Sequence, residues 1–95
     1  MKVYIMICEG CYDGEPQDTI VHAYATLEQA REELQQAIRE ELAEGTYFGE
    51  IYADPEQRDT IVIDESENSW TAYDDGAYTS NNVSYRIVEQ GVIGQ

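Results

Sequence analysis

The stretch KVYIMIC, residues 2–8, decides which fold the rest of the chain can adopt. Side chains of a strand alternate between its two sides, and both sides of this stretch are apolar. One side carries Val3, Ile5 and Ile7, and the other carries Tyr4, Met6 and Cys8. This pattern is typical of a strand in the middle of a sheet, so the stretch predicts the central strand.

A second strand is predicted at residues 19–25 (TIVHAYA), which are rich in residues that favour strands. The connection between the two strands contains Gly10, Gly14 and Pro16, which are residue types that favour turns. We therefore expect the first strand to end near Cys8 and a hairpin loop to lead into the second strand.

An amphipathic helix is predicted directly after the second strand. Thr26 is a good N-cap with Gln29 as its capping-box partner, and Gly45 is expected to end the helix as the C′ residue. Apolar residues recur at helical spacing and form one stripe, made of Leu27, Ala30, Leu34, Ala37, Ile38 and Leu42. The opposite side is mainly acidic, so we expect the stripe to pack on the sheet.

Four further strands are predicted in the second half of the chain, at residues 46–53, 60–64, 69–73 and 83–89. The element order β-β-α-β-β-β-β leaves one helix to cover one face of a largely antiparallel sheet of about five to six strands. The predicted fold class is therefore α+β, with one amphipathic helix packed on one face, in a single domain over residues 1–95.

The chain carries 20 acidic and 5 basic residues, a formal net charge of −15. This balance disfavours direct binding to nucleic acid or to a membrane surface, because those partners need a basic surface. No run of about 18 apolar residues could span a membrane, and the N-terminal stretch lacks a signal-peptide cleavage site. We expect a cytoplasmic monomer or homodimer whose partner is a basic protein surface or a divalent cation.

Cys8 and Cys11 have the C-x-x-C spacing of redox and metal sites. The neighbouring acids Glu9 and Asp13 raise a thiol pKa, which opposes a reactive thiolate. Zinc needs about four ligands, and His22 is the only histidine of the chain. We therefore interpret the motif as a strand end and a turn, and His22 as a partly buried strand residue. No catalytic residue, metal or cofactor is predicted.

The placement of the acids breaks the rules for a stable protein in one consistent direction. Glu40, Glu41 and Glu44 lie at the negative end of the helix dipole, where each is unfavourable by about 0.3–1 kcal/mol. A second acidic set lies in the later strands and loops and consists of Asp64, Glu65, Glu67, Asp74 and Asp75. Such breaks are typical of a functional surface, and acidity that only provides solubility is the alternative.

Arrayed carboxylates have a spacing that suits imitation of DNA. A duplex carries one phosphate charge per about 1.7 Å of axis, or about 3.4 Å along each strand. Acids at i,i+4 of a helix are about 5–6 Å apart, and acids at i,i+2 of a strand are about 6–7 Å apart. We predict that the two acidic sets bind a partner. Tyrosines near acids or turns add candidate contact area: Tyr12, Tyr47, Tyr52, Tyr73 and Tyr78.

The first third of the chain resembles small phage- and prophage-encoded proteins. The shared pattern is a Met-Lys-Val-Tyr strand, a Glu-Gly-x-Tyr turn, a second strand and a threonine-capped acidic helix. The matching residues are 1–4, Glu9, Gly10, Tyr12, 20–24 and 26–34. In size, charge and single domain, the chain is also similar to acidic phage inhibitors of host nucleases, such as anti-CRISPR and anti-restriction proteins. The resemblance implies evasion of host defence and carries over no functional residues.

These patterns lead to three hypotheses. The first is a non-enzymatic, anti-CRISPR-like inhibitor that binds the basic nucleic-acid channel of a host effector or nuclease through a DNA-mimicking acidic surface in the host cytoplasm. The second is an immunity protein or antitoxin that neutralises a basic toxin nuclease. The third is a small metal-binding or redox protein that uses Cys8, Cys11 and His22.

Overall fold

The computed structural model of the protein describes residues 2–45, 47–49, 54–74 and 81–91. Within these residues the strands are β1 (Lys2–Tyr12), β2 (Glu15–Pro16), β3 (Ile20–Tyr24), β4 (Ile61–Ser66), β5 (Ser69–Asp74) and β6 (Asn82–Gly91). The helices are α1 (Leu27–Glu44) and the short α2 (Pro55–Arg58). Neither of these two helices is long and apolar enough to cross a membrane.

The strands form one six-stranded antiparallel sheet in the order β2-β1-β6-β5-β4. β3 also pairs with β1. Because β6 pairs with one edge of β1, β3 and β2 share the other edge, at different positions along the strand. β1 and β6 are therefore central, and β3 and β4 are edge strands. The predicted α+β class, with a helix on one face of a largely antiparallel sheet, is confirmed.

β1 is longer than predicted and contains both cysteines. It continues past Cys8 to Tyr12, and a two-residue turn at Asp13 and Gly14 leads into β2. Both turn residues have positive φ, 53° and 83°, as in a type I′ turn, whose twist matches that of paired strands. The predicted end of the strand near Cys8 is wrong, because β6 pairs with β1 as far as Cys11.

α1 begins and ends where the sequence predicts. Thr26 Oγ1 accepts a hydrogen bond from the Gln29 backbone N–H at 3.1 Å, which confirms the N-cap. The helix ends at Glu44, and Gly45 follows with φ −70° and ψ 155°. Gly45 therefore ends the helix as predicted, but in an extended conformation, with its backbone N–H donating to the Glu41 carbonyl at 3.0 Å.

The core lies between α1 and one face of the sheet. The sheet contributes Met6, Trp70, Ala72, Val83, Tyr85 and Ile87, and the helix contributes Ala30, Leu34 and Ile38. Trp70 and Tyr85 are cross-strand neighbours whose ring centroids stack 5.5 Å apart. Full burial of a large apolar side chain stabilises the fold by about 1.5–3 kcal/mol, so this layer supplies most of the stability.

The segment after α1 differs from the predicted strand at residues 46–53. Tyr47 and Phe48 lie in a turn, and their backbone N–H groups donate to the side chain of Glu41. Phe48 is fully buried and completes the core. Residue 46 and residues 50–53 lie outside the described residues. The later strands are confirmed, each with an end that lies one or two residues beyond the predicted one, although β4 begins one residue later than predicted.

The face of the sheet opposite α1, called here the open face, is apolar near its centre. Its half-buried or exposed side chains on three adjacent strands are Val3, Ile5, Ile7, Val21, Ala23 and Val88. The prediction of a central first strand is thus confirmed. Only one of the two apolar sides of β1, the side that carries Tyr4, Met6 and Cys8, packs in the core.

Replacing the N-cap tests how much the start of α1 contributes. Thr26→Ala should lower the free energy of unfolding by about 1 kcal/mol, because the Gln29 N–H loses its acceptor. Thr26→Ser keeps that acceptor and should restore most of the loss. Trp70, the single tryptophan, is buried, so urea unfolding can be followed by its fluorescence. Equal stability of Thr26→Ala and the wild type would contradict the prediction.

Candidate functional site: a groove between β3 and α1

A groove of about 790 Å³ lies between α1 and β3. The helix wall carries Glu33, Gln36, Ala37, Glu40 and Glu41. The strand wall carries Asp18, Ile20, His22 and Tyr24. The floor belongs to β1 and β6, with Tyr47 at one end, and includes Met6, Cys8, Gly10, Val83 and Tyr85. The volume is within the range of ligand sites, about 300–1,000 Å³.

The groove exists because α1 packs over the centre of the sheet and leaves the first part of β3, from Ile20 to Ala23, exposed. Ile20 and His22 pair with Cys8 and Met6, so all four side chains point to the face that carries α1. Met6 is 4% exposed, whereas Ile20 is 54% exposed. Ala37 presents only a methyl group to the gap between helix and strand, so the gap stays open.

The rim of the groove is acidic. Asp18, Glu33 and Glu40 are exposed around it, and no described lining residue is lysine or arginine. Glu9 also lines the groove, but its carboxylate pairs with Arg86 at 3.2 Å. The rim therefore has a negative potential that suits a cationic group.

Three tyrosines line the groove and stay protonated. Burial, and secondarily the charge of Glu33, raises the pKa of Tyr24. Burial, followed by the charge of Glu41, raises the pKa of both Tyr47 and Tyr85. The groove thus combines neutral aromatic side chains with carboxylates. That combination attracts ammonium and, more strongly, guanidinium groups.

Glu41 is 5% exposed, so the expectation that it belongs to an exposed acidic set is wrong. Its Oε2 accepts hydrogen bonds from the backbone N–H groups of Phe48 at 2.8 Å and Tyr47 at 3.2 Å. Burial raises the pKa of the Glu41 carboxyl, and the two hydrogen bonds offset part of this effect. Glu41 positions the segment after α1 and is too buried to contact a partner directly.

Gly45 is required by its closeness to Glu41. A Cβ at Gly45 would collide with the Glu41 carboxylate. The absence of a side chain lets the chain leave the helix while the carboxylate reaches the next turn. This is the physical reason for a glycine at the helix end.

Tyr47 closes one end of the groove. Its ring lies so near Gly10 that a Cβ there would collide with it. The Asn81 side chain donates to the Tyr47 carbonyl at 2.8 Å and accepts from the Asp13 backbone N–H at 2.7 Å. The segment after α1, the start of β6 and the first hairpin are thereby tied together.

The structure separates the acidic residues predicted near the end of α1. Glu40 is exposed on the groove wall, whereas Glu41 is buried. The side chain of Glu44 lies outside the described part of the structure. The predicted set therefore contributes one described residue, Glu40, to an accessible surface.

The second predicted set is not one continuous patch. Asp64 and Glu65 are consecutive and exposed in β4, so they point to opposite faces of the sheet. Glu67 pairs with Arg31 of α1 at 3.2 Å. Asp74 is half-buried and accepts a hydrogen bond from Thr60 Oγ1 at 2.7 Å. Asp75 lies outside the described residues.

Two groove acids, Asp18 and Glu33, are missing from the predicted sets. Glu33, Ala37 and Glu40 have i, i+4, i+7 spacing, so they lie on one side of the helix. A small residue between two acids on one helical side is the sequence signal for this wall. The sequence alone does not show that β3 lies opposite.

Of the tyrosines predicted as contacts, Tyr47 lies in the groove. Tyr12 is 47% exposed and Tyr73 is 40% exposed, and neither lines the groove. Tyr52 and Tyr78 lie outside the described residues. Two groove tyrosines, Tyr24 and Tyr85, are not among the predicted contacts.

Cys8 and Cys11 point to opposite faces of the sheet, because β1 runs continuously through both. Their Cα atoms are about 10 Å apart along the strand, too far for a disulfide. Burial raises the pKa of the Cys8 thiol. His22 is exposed, in contrast to the partly buried residue expected. In the described part of the chain, no group of three or more His, Cys, Asp or Glu could hold a metal ion.

Three basic residues form ion pairs within the described part of the chain. Besides Arg86–Glu9 and Arg31–Glu67, Lys2 pairs with Glu89 at 2.9 Å. A fourth, Arg39, donates to Gln36 Oε1 at 2.8 Å, and the amide of Gln36 donates to Glu40 at 2.9 Å. The acidic excess of the chain therefore remains on the surface.

A comparison with known protein families, curated proteins and solved structures finds no match. The resemblance of the first third of the chain to phage proteins therefore stays a prediction. The function has to be inferred from the chemistry of the groove.

The stability difference between the wild type and Glu41→Gln should change with pH in one direction. The folded state raises the pKa of Glu41 and so favours the neutral carboxyl. The stability contributed by this protonation is complete below the ordinary value of 4.5 and is lost as pH rises through the raised value. Glutamine does not titrate and keeps an acceptor oxygen. The free energy of unfolding of Glu41→Gln, measured by urea unfolding, should therefore rise relative to that of the wild type as pH increases through this range.

Glu32→Gln removes one charge at an exposed position of the same helix and is the matched control. Any pH dependence of the stability difference beyond that of the control is due to Glu41. Glu41→Ala removes the acceptor itself and should cost about 1–3 kcal/mol for each of the two backbone N–H groups that lose it. A Glu41→Gln profile parallel to that of the control would contradict the prediction.

Proposed function

We propose that the protein is a non-enzymatic inhibitor that binds a basic surface of a nucleic-acid-binding protein and competes there with the nucleic acid. One observation carries the proposal: Asp18, Glu33 and Glu40 surround a tyrosine-lined groove whose described lining contains no lysine or arginine. Lysine and arginine side chains that bind phosphate also bind carboxylates and aromatic rings. The groove therefore competes for the same side chains that hold a nucleic acid.

Charge acts at two distances in this mechanism. The net charge of −15 attracts a basic channel from beyond contact distance and raises the rate of association. At contact, the rim carboxylates of Glu33 and Glu40 accept hydrogen bonds from guanidinium or ammonium groups, and the tyrosines exclude water. The first step selects any strongly basic surface, and the second selects one that can present a side chain to the groove.

The partner that the phage resemblance implies is a host defence complex, most simply a CRISPR effector, in the host cytoplasm. An immunity protein or antitoxin against a basic toxin nuclease would use the same surface and differ only in its partner. Affinity capture from a lysate that contains such nucleases, followed by mass spectrometry, distinguishes the two. Recovery of the chain with neither class, at low salt, would contradict the proposed function.

Neutralising the rim tests the role of the groove directly. With a fluorescein-labelled oligo-arginine peptide as probe, Glu33→Gln combined with Glu40→Gln should weaken binding by about tenfold or more, since two charge-assisted contacts are lost. Wild-type binding should also weaken steeply between about 50 and 200 mM salt. Fluorescence anisotropy measures both effects.

The matched control is Asp64→Asn combined with Glu65→Gln, which removes the same charge from exposed positions of β4. It should weaken binding of the probe only slightly. If the two double variants weaken binding equally, the attraction is spread over the whole surface and the groove has no special role.

Replacing the cysteines separates this function from metal or redox chemistry. Cys8→Ser combined with Cys11→Ser should keep most of the binding of the oligo-arginine probe, because Cys8 lies in the floor of the groove, Cys11 faces the other side of the sheet, and neither supplies a rim carboxylate. Trp70 fluorescence verifies that the variant is folded. Loss of binding by a folded variant would favour the third hypothesis.

A further inference from the structure

The two edges of the sheet differ in how they are protected. Natural edge strands are usually shielded from other strands by charged side chains, proline or bulges. β4 has Asp64 and Glu65 at exposed positions, as this rule expects. β3 has the sequence IVHAY, without an acid, a lysine or a proline. No described strand pairs with its outer edge.

β3 also exposes apolar side chains on both of its sides. Ile20 is 54% exposed and Val21 is 56% exposed, the highest values among the large apolar residues described. Ile20 borders the groove, and Val21 continues the apolar centre of the open face beside Ile7, its partner on β1. A strand added at this edge would therefore meet an acidic groove on one side and an apolar surface on the other.

The negative charge near β3 determines which kind of segment can be added as a strand. Asp18, Glu33 and Glu40 all lie at the β3 side of the molecule, and a second copy would bring the same acids and another −15 charge to this edge. Like charges brought together in this way oppose association. A segment that carries lysine or arginine is attracted by the same acids.

We propose that the outer edge of β3 accepts an extended segment of the basic partner as an additional strand. The proposal rests on the proposed function for the basic character of the partner and adds how the partner is held. Alternate residues of the segment are lysine or arginine that enter the groove beside Glu33 and Glu40. The residues between them are apolar and pack beside Val21 and Ala23 on the open face.

Strand geometry sets the length and pattern of the segment. The added strand lies about 4.8 Å from β3, and its alternate residues are about 6.6–6.8 Å apart. β3 has five residues, so it pairs with a segment of similar length, which places two or three side chains on each side. Backbone hydrogen bonds supply affinity and the alternating side chains supply specificity, as in other cases of strand addition.

The test compares two peptides of about seven residues, a length that covers an average strand. One alternates arginine and valine, and the other has the same composition with all arginines before all valines. The alternating peptide should bind the wild type at least about tenfold more tightly, because only it can pair with β3 and fill both sides. An alternating peptide N-methylated at every residue, which loses the backbone donors of both its edges, should bind as weakly as the block peptide.

Two variants of this protein locate the binding edge. Val21→Lys places a charge on the β3 edge and should weaken the alternating peptide by about tenfold or more. Val88→Lys introduces the same charge on the same open face but in the central strand β6, at a residue 37% exposed. The control should change binding of the alternating peptide by less than about threefold, because repulsion between the added lysine and the arginines of the peptide is weak at an exposed site. Equal effects of the two variants would overturn the edge assignment.

The remaining outcomes distinguish this inference from the proposed function. If both peptides bind equally and both require Glu33 and Glu40, the groove binds cations and strand addition is wrong. If neither peptide binds at low salt, both proposals are wrong. A wild-type dimer in analytical ultracentrifugation that Val21→Lys converts to a monomer would assign the edge to a second copy and also overturn the inference.

Discussion

The buried carboxylate of Glu41 holds together the end of the fold that shapes the groove. It accepts the backbone N–H groups of Tyr47 and Phe48, so the chain turns back over the sheet directly after α1. Phe48 then enters the core and Tyr47 lies over Gly10. An apolar side chain at position 41 would fill the volume but leave two N–H groups without their acceptor, at about 1–3 kcal/mol each. The acid is therefore required for its oxygen atoms, although burial opposes its charge.

Features fixed by residues near one another in the chain could be predicted from the sequence. The alternation in residues 2–8 and the Thr26 cap are of this kind, and they were enough for the α+β class. The groove could not be predicted, because its two walls meet only through the pairing of β3 with β1. The extent of β1 beyond Cys8 likewise depends on β6, near the other end of the sequence. The different roles of the acids near the helix end could not be predicted either. Glu40 and Glu41 are adjacent in the sequence, but helix geometry exposes Glu40 and buries Glu41.

The core that stabilises this molecule and the surface that we propose for recognition lie on different parts of it. The three ion pairs among the described residues are between exposed side chains, and such pairs contribute about 0–1 kcal/mol each. The core between α1 and the sheet therefore has to outweigh the repulsion among the acids. The groove and the β3 edge lie outside that core, and substitutions there leave most of it intact. Acids at Asp18, Glu33 and Glu40 therefore fit a surface that is kept for binding a partner, since lysines at those positions would relieve repulsion.

The pairing of β1 with β6 also determines how the chain reaches this structure. Lys2 is opposite Gly91 and Cys11 is opposite Asn82, so the central ladder joins residues about 70 to 90 positions apart. Contacts of such high contact order form slowly, because a long loop has to close first. The helix and the β4–β5 hairpin are formed by residues close in sequence and can form early. β1 pairs with β6 only later, so its apolar sides stay exposed until then. Mutual repulsion between chains of net charge −15 opposes aggregation during that interval. The charge that we propose attracts a basic partner thus also protects the unfinished fold from other copies of itself.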